Sequence, residues 1–279
     1  MNILGIETSC DEAAAAVVVD GVDLLSNVIA SQTDLHAPHG GVVPEVAARQ
    51  HILQIAPVIQ QATADANLHL GNIDAVSVTY GPGLAGSLLV GVNAAKGLAL
   101  SMDVPLVSVN HLEGHIYAAW LTNTVPHNTP GFPLVCLIAS GGHTDLILMT
   151  NHGTYQSIGY TRDDAAGEAF DKVARILGLG FPGGPEIEKI AKPASKNTHL
   201  PRAWLKGSFD FSFSGLKTAV LHKAQEMNIY PHNKDSKSES IIDLATAFQE
   251  SVVDILTRKT IEASKIYDAK GIIVGGGVA

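Results

Sequence analysis

Apolar residues in this chain form short runs of strand length, and the runs recur in the same order in both halves. Each half begins with a strand, a tight turn and two further strands, and it continues with a helix and a buried strand that ends in a Gly-rich loop. The predicted strands are 3–6, 14–19, 24–30, 73–80, 134–139, 145–149, 155–160 and 271–274. This repetition predicts a duplicated α/β protein with two lobes around a cleft.

The first half continues beyond its Gly-rich loop with a predicted helix, a strand and a second helix that begins at His111. The second half ends at Ala279, directly after its own loop. By comparison with the elements that follow the loop in the first half, we expect roughly 40–60 further residues beyond Ala279. A Pro-, Asn- and Thr-rich linker at 123–133 predicts two lobes, 1–125 and 126–279. The second lobe is expected to contain a basic helical insertion at about 165–225 and to be incomplete at its C-terminus.

The composition is that of a folded globular protein, since apolar residues make up 46% and charged residues 16% of the chain. With only two cysteines, a reducing cytoplasm is the expected compartment. Apolar runs such as 13–19 are shorter than the ~20 residues that a membrane span needs, so no membrane association is expected. The two cysteines, Cys10 and Cys136, are too few for a disulfide framework or a Cys-based zinc site.

The net charge of −9 is unevenly distributed. Residues 1–150 hold two basic residues against twelve acids, whereas 151–279 hold sixteen against fifteen. Segment 189–223 carries seven bases and only one acid, Asp210, with aromatic residues interleaved. Such a segment fits a phosphate-rich partner. A solvated surface with ordinary core aromatics explains the pattern equally well.

Two histidines one helical turn apart, His111 and His115, follow a predicted strand, with Asn110 as a predicted N-cap. Side chains at this spacing share a helix face, which favours two imidazoles on one divalent metal ion. A solvated or packed histidine pair is the alternative. A zinc peptidase would need a glutamate directly after the first histidine, whereas Glu113 comes two residues later and about 200° around the helix.

Two Gly-rich turns are further candidates. Gly81 to Gly86 match the spacing of a dinucleotide-binding fingerprint, but the next strand lacks the acid that would hold a ribose. Close packing of helix and strand beside a ligand or partner explains these glycines better. Gly141 and Gly142 lie in a turn that is either a simple hairpin or a set of backbone N–H groups for a phosphate or carboxylate.

Eight motifs occur together and in order. They are GIETSCDE (5–12), GGVVPE (40–45), GPG (81–83), NHLEGH (110–115), SGGHT (140–144), GEAFDK (167–172), FPGGP (181–185) and FSFSGLK (211–217). On these motifs the chain resembles the TsaD family of tRNA threonylcarbamoyladenosine transferases over essentially its whole length. The resemblance implies a duplicated actin-like ATPase fold of the ASKHA class, like that of sugar kinases and Hsp70.

The resemblance also implies an activity and its components. The family transfers the threonylcarbamoyl group from threonylcarbamoyl-AMP to N6 of the adenosine just 3′ of the anticodon in tRNAs that read codons beginning with A. The implied cofactors are one divalent metal ion, Fe2+ or Zn2+, and ATP or an adenylate in the cleft. The implied partners are tRNA, TsaB and TsaE. A metallopeptidase and a non-catalytic nucleotide-binding scaffold are the alternatives.

Site residues follow from the same resemblance. His111 and His115 are the expected metal ligands, joined by an aspartate beyond Ala279, and together with Glu12 they form the expected catalytic set. The expected substrate-binding residues are Ile138, Ala139, Ser140, Gly141, Gly142, Asp171, Gly184 and Glu188.

Overall fold

The computed structural model describes residues 1–121, 131–191, 198–231 and 238–279. The chain divides into two compact units, Met1–Asn128 and Thr129–Ala279. Most of the predicted linker at 123–133, with the predicted boundary after residue 125, lies outside the described residues, as do Lys192 and Lys196 of the basic segment.

The first unit contains a five-stranded sheet in the order β3-β2-β1-β4-β5. Its strands are β1 (Asn2–Glu7), β2 (Glu12–Val19), β3 (Asp23–Ser31), β4 (Ala75–Gly81) and β5 (Leu106–Asn110). Its helices are α1 (Thr33–His36), α2 (Pro44–Asp65), α3 (Ala85–Met102) and α4 (His111–Tyr117). The first three strands are antiparallel, whereas β4 and β5 run parallel to β1.

Small residues let α3 lie close to its neighbours in this unit. The buried positions of α3 recur every fourth residue and are Ser87, Gly91, Ala95 and Ala99. They form one face of the helix, because side chains at this spacing lie above one another. Leu4 and Ile6 of β1 alternate into the same core, which α2 covers with Ile55 and Ile59.

The second unit repeats the strand order of the first, as a four-stranded sheet β8-β7-β6-β9. Its strands are β6 (Leu134–Ala139), β7 (Thr144–Asn151), β8 (Thr154–Tyr160) and β9 (Gly271–Gly275). Its helices are α5 (Ala166–Leu177), α6 (Gly183–Ile190), α7 (Ser214–Glu226) and α8 (Ser238–Ile266). Since β9 runs parallel to β6 as β4 does to β1, the predicted duplication is present in both sheets.

In the basic segment at 189–223, two of the aromatic rings are buried and several basic side chains form ion pairs. Phe211 and Phe213 are fully buried in the core of the second unit, so neither ring is available to a nucleic acid. Four of the basic side chains form ion pairs within the unit, namely Lys189 with Glu186, Arg202 with Asp254, Lys217 with Asp164 and Lys223 with Glu226. The alternative of core aromatics is therefore correct for these two rings.

One helix in the described part of the chain, α3, is long and apolar enough to pass a membrane-span criterion, with a mean hydropathy of 1.2. The criterion rests on length and composition only. α3 packs against α2 and β4, and 22% of this helix is buried.

Candidate functional site

Three neighbouring parallel strands of the first unit bring polar residues together at one edge of the sheet. Glu7 ends β1, Thr79 lies near the end of β4, and His111 directly follows β5. Ligand sites in α/β sheets form where the carboxyl ends of parallel strands meet. This edge is therefore the natural place for a site in the first unit.

The predicted histidine helix is present and is capped as expected. α4 begins at His111, and the Asn110 side chain accepts a hydrogen bond of 2.9 Å from the backbone N–H of Leu112. The Nε2 atoms of His111 and His115 lie 3.2 Å apart, and their ring centroids are 4.6 Å apart. The helix thus places two imidazole nitrogens within 3.2 Å of each other.

The Nδ1 atom of His111 faces Glu7, which was not among the predicted site residues. His111 Nδ1 lies 3.2 Å from Glu7 Oε2 and 3.1 Å from the Ser9 hydroxyl. Thr79 Oγ1 donates to the same carboxylate oxygen at 2.5 Å, and the backbone N–H of Ser9 donates to Oε1. Burial raises the pKa of Glu7, but hydrogen bonds from His111, Ser9 and Thr79 outweigh it and lower the pKa to about 2.

Glu12, the acid chosen from the sequence, lies at the exposed start of β2. Within the described ranges it makes no hydrogen bond or ion pair with either histidine. Partial burial and the nearby charges of Asp11 and Glu7 raise its pKa. Glu7 directly follows the predicted strand 3–6, but no local pattern shows that the end of this strand lies near His111, which follows a strand two places away in the sheet.

The Gly81 to Gly86 loop supports the turn that carries Ser9. A Cβ atom on Gly83 would lie 2.5 Å from the Ser9 carbonyl oxygen, and the backbone N–H of Leu84 donates to that oxygen at 2.7 Å. A Cβ atom on Gly86 would lie 3.0 Å from the Cβ of Ala48 on α2. Gly83 and Gly86 therefore serve close packing, but of a turn and of α3 against α2, whereas the sequence predicted packing of helix against strand.

In the second unit, the turn between β6 and β7 is fixed by its own bonds and by α5. The backbone N–H of Ser140 donates to the His143 carbonyl at 2.8 Å, and the N–H of His143 donates to Ser140 Oγ at 3.1 Å. The N–H of Gly167 donates to the Ser140 carbonyl at 3.2 Å. Gly141 and Gly142 remain exposed at the tip of the turn.

The other predicted substrate-binding residues of this unit differ from one another in burial and in hydrogen bonding. Ile138 and Ala139 have fully buried side chains, so only their backbone atoms can face a ligand. Asp171 on α5 accepts a hydrogen bond of 2.7 Å from the backbone N–H of Gly183, which holds the first turn of α6. Gly184 lies in that turn, and Glu188 is exposed one turn further on.

Across the ranges that the structure describes, no group of three or more His, Cys, Asp or Glu side chains has the geometry of a metal site. His111 and His115 are two members of the expected ligand set, and Glu7 lies beside the nitrogen of His111 that faces away from His115.

The family model and the curated relatives agree on one family. A family model described as "TsaD: tRNA N6-adenosine threonylcarbamoyltransferase" matches residues 23–279. A relative of that name from Dehalococcoides mccartyi is 56% identical over 279 residues, which are 100% of this chain and 82% of the relative. Another from Bacillus subtilis is 51% identical over 282 aligned residues, covering 100% of this chain and 78% of the relative.

Two solved structures share the fold at low sequence identity. One is component A of (R)-2-hydroxyglutaryl-CoA dehydratase from Acidaminococcus fermentans, with a TM-score of 0.56, 16% identity, and coverage of 100% of this chain and 83% of that chain. The other is the activator of the 2-hydroxyisocaproyl-CoA dehydratase of Clostridium difficile, with a TM-score of 0.55, 16% identity, and coverage of 100% and 81%. They confirm the duplicated actin-like α/β fold. From the family model and these relatives, the chain belongs to the TsaD family of tRNA N6-adenosine threonylcarbamoyltransferases.

Proposed function

We propose that this chain transfers a threonylcarbamoyl group from threonylcarbamoyl-AMP to N6 of the adenosine just 3′ of the anticodon, with a divalent metal ion at His111 and His115. The observation that carries the proposal is the convergence of the two Nε2 atoms to 3.2 Å while Glu7 holds the opposite nitrogen of His111. Family membership supports the reaction, and the histidine geometry supports its metal dependence.

The two histidines fit the proposed ion. Zinc–nitrogen bonds of about 2.0–2.1 Å at a tetrahedral angle place two ligand nitrogens roughly 3.3 Å apart, close to the 3.2 Å observed. Imidazole suits Fe2+ as well as Zn2+. The bound ion would act as a Lewis acid on an oxygen of the donor.

The chain's own groups would orient the donor. Attack by an exocyclic amine on a mixed anhydride needs correct placement and stabilised oxyanions more than covalent help from the protein. Gly141 and Gly142 are exposed, and their backbone N–H groups would suit the adenylate phosphate, because α5 fixes the turn that presents them. Since Asp171 is bound to the N–H of Gly183, we assign it to placing α6 beside the nucleoside.

Side-by-side assays test this function. His111→Ala and His115→Ala should each lose threonylcarbamoyl transfer to tRNA, measured as modified nucleoside with TsaB, TsaE and the donor present. Each should also lose bound metal per chain, while the exposed His222→Ala retains both. Full transfer by His111→Ala would overturn the proposal. So would cleavage of peptides by the unsubstituted chain without any tRNA modification, which is the outcome expected of a metallopeptidase.

We also propose that exposed apolar side chains on α2 and α3 contact TsaB. Ile52, Leu53 and Leu89 are 63%, 69% and 60% exposed, and the two helices pack against each other. Large apolar side chains that stay exposed on helices packed together are typical of a protein interface.

A further inference from the structure

Glu7 is held by two groups besides His111. Its Oε2 accepts from Thr79 Oγ1 at 2.5 Å, and its Oε1 accepts from the backbone N–H of Ser9. Thr79 lies on β4 and Ser9 in the turn after β1. Groups on two separate segments of the chain therefore hold the Glu7 carboxylate in place, independently of His111.

These contacts determine the tautomer of His111. An ionised carboxylate only accepts hydrogen bonds, so the imidazole nitrogen 3.2 Å from Oε2 must carry the proton. The Ser9 hydroxyl, 3.1 Å from the same nitrogen, shares that proton as a second acceptor. With the proton on Nδ1, the neutral ring leaves a lone pair on Nε2, which is the nitrogen that faces His115.

The geometry points to a role for Glu7 that builds on the proposed metal site: we propose that Glu7 is a positioning residue that fixes His111 as the Nδ1–H tautomer and aims its Nε2 lone pair at the metal. A carboxylate behind a ligating imidazole orients the ring and raises its basicity. Thr79 and Ser9 restrict the carboxylate to one rotamer, so the ring of His111 is aligned before any ion arrives.

Glu7→Gln tests the role because it keeps the size of the side chain. The amide can donate as well as accept, so the Nδ1–H tautomer is no longer enforced. We expect zinc affinity, measured by titration with Zn2+ alone, to fall about 10–100-fold. Asp11→Asn removes the same charge from the neighbouring turn and should bind Zn2+ as the unsubstituted chain does. Thr79→Val, which frees the carboxylate, should give a smaller loss of affinity.

A second readout does not depend on metal or activity. Nitrogen NMR of the metal-free chain should show His111 as a single Nδ1–H tautomer, and Glu7→Gln should show a mixture. Thermal unfolding of each variant separates loss of fold from loss of the tautomer.

The outcomes distinguish this proposal from the one on which it rests. If Glu7→Gln binds Zn2+ unchanged while His111→Ala loses binding, the positioning role is wrong and the metal site stands. If His111→Ala binds Zn2+ unchanged, the metal site itself is wrong. A folded Glu7→Gln variant with a single Nδ1–H tautomer would likewise overturn the positioning role.

Discussion

At the scale of single residues, Lys259 shows how a charge on a long helix can serve the core. Its side chain is fully buried, and its ammonium donates to the carbonyl oxygens of Asp210 at 2.5 Å and Ser208 at 2.9 Å. The ammonium also lies 5.2 Å from the centroid of the Trp204 ring. Burial lowers the pKa of Lys259. The lysine therefore joins α8 to the chain between Trp204 and Asp210.

Lys259→Met should lower the free energy of unfolding by about 2–4 kcal/mol, because it leaves buried carbonyls without a donor. Urea denaturation measures the change. Lys265→Met, at an exposed position near the end of the same helix, should change stability by less than about 0.5 kcal/mol. Equal stabilities for the two variants would contradict the buried role.

Gly83 is a second single residue that affects the histidine site, through its close contact with Ser9. Since an added Cβ would lie 2.5 Å from the Ser9 carbonyl oxygen, Gly83→Ala should displace Ser9 and weaken Zn2+ binding several-fold. Gly97→Ala on α3, where a Cβ meets no atom within 4 Å, should leave binding unchanged and raise helix stability by up to about 1 kcal/mol. Isothermal titration of both variants checks the prediction. Unaltered binding by Gly83→Ala would show that the turn tolerates the shift.

Local residue patterns predicted only part of this site. The spacing of His111 and His115 and the cap at Asn110 depend on neighbours a few residues away, so the sequence reveals them. Glu7 meets His111 across 104 residues, and Lys259 meets Asp210 across 49. Nothing in the local pattern distinguishes these two from solvated charges.

At the scale of elements, the strands were predicted to within a few residues because each is an apolar run between polar turns. β6 was placed at its observed bounds, and β2 and β3 begin slightly earlier than expected. The basic segment was harder, because buried rings such as Phe211 and surface rings have the same sequence signature. Tertiary packing decides between them.

The short helix α4 depends on its cap. Asn110→Ala should cost about 1 kcal/mol of stability, since it leaves the Leu112 N–H without its acceptor. Because α4 has only 7 residues, fraying at its start also moves His111, so Zn2+ affinity should fall. Asn110→Asp keeps an acceptor and should retain stability. Calorimetry and metal titration of both variants check this, and an unchanged Asn110→Ala would rule out the dependence.

An acidic residue between two helices should make the second unit acid-sensitive. Asp164 accepts at 2.7 Å from Lys172 on α5 and at 2.7 Å from Lys217 on α7. Burial raises the pKa of Asp164, but the two lysines outweigh it and lower the pKa below its ordinary 3.8. Its stabilising contribution is thus complete above 3.8 and is lost as the pH falls through the lowered value.

The corresponding measurement is the free energy of unfolding between pH 5 and pH 2. Asp164→Asn should be less stable than the unsubstituted chain at pH 5, and its stability should decline less steeply below about pH 3.8. Asp34→Asn, at an exposed position, should follow the unsubstituted chain. Parallel curves for all three proteins would remove Asp164 as a source of the acid sensitivity.

At the scale of the whole molecule, the two units differ in chemistry although they share a strand order. The first supplies the acidic half of the sequence and the histidine pair, and the second supplies the turn at Gly141 and most of the basic residues. Composition and repetition led to the expectation of lobes 1–125 and 126–279, which stays a prediction. The residues that the structure leaves undescribed between the units include most of the predicted linker.

The proposed contact of α2 and α3 with TsaB gives a prediction at this scale. Leu53→Lys should weaken binding of TsaB at least tenfold without lowering the melting temperature, because the side chain is 69% exposed. Ile266→Lys, 64% exposed on the second unit, should bind TsaB normally. Surface plasmon resonance of both variants measures the effect. Equal affinities would place the TsaB interface elsewhere.

The hydrogen bonds around Glu7 carry a consequence for synthesis of the chain on the ribosome. Glu7 is made near the start, Thr79 follows 72 residues later, and His111 follows after 104. The metal affinity proposed for His111 and His115 therefore cannot reach its full value until residues far apart in the chain have folded together. This requires that β5 has joined the sheet and α4 has formed, so the strength of zinc binding by a nascent chain would report the folding of the first unit.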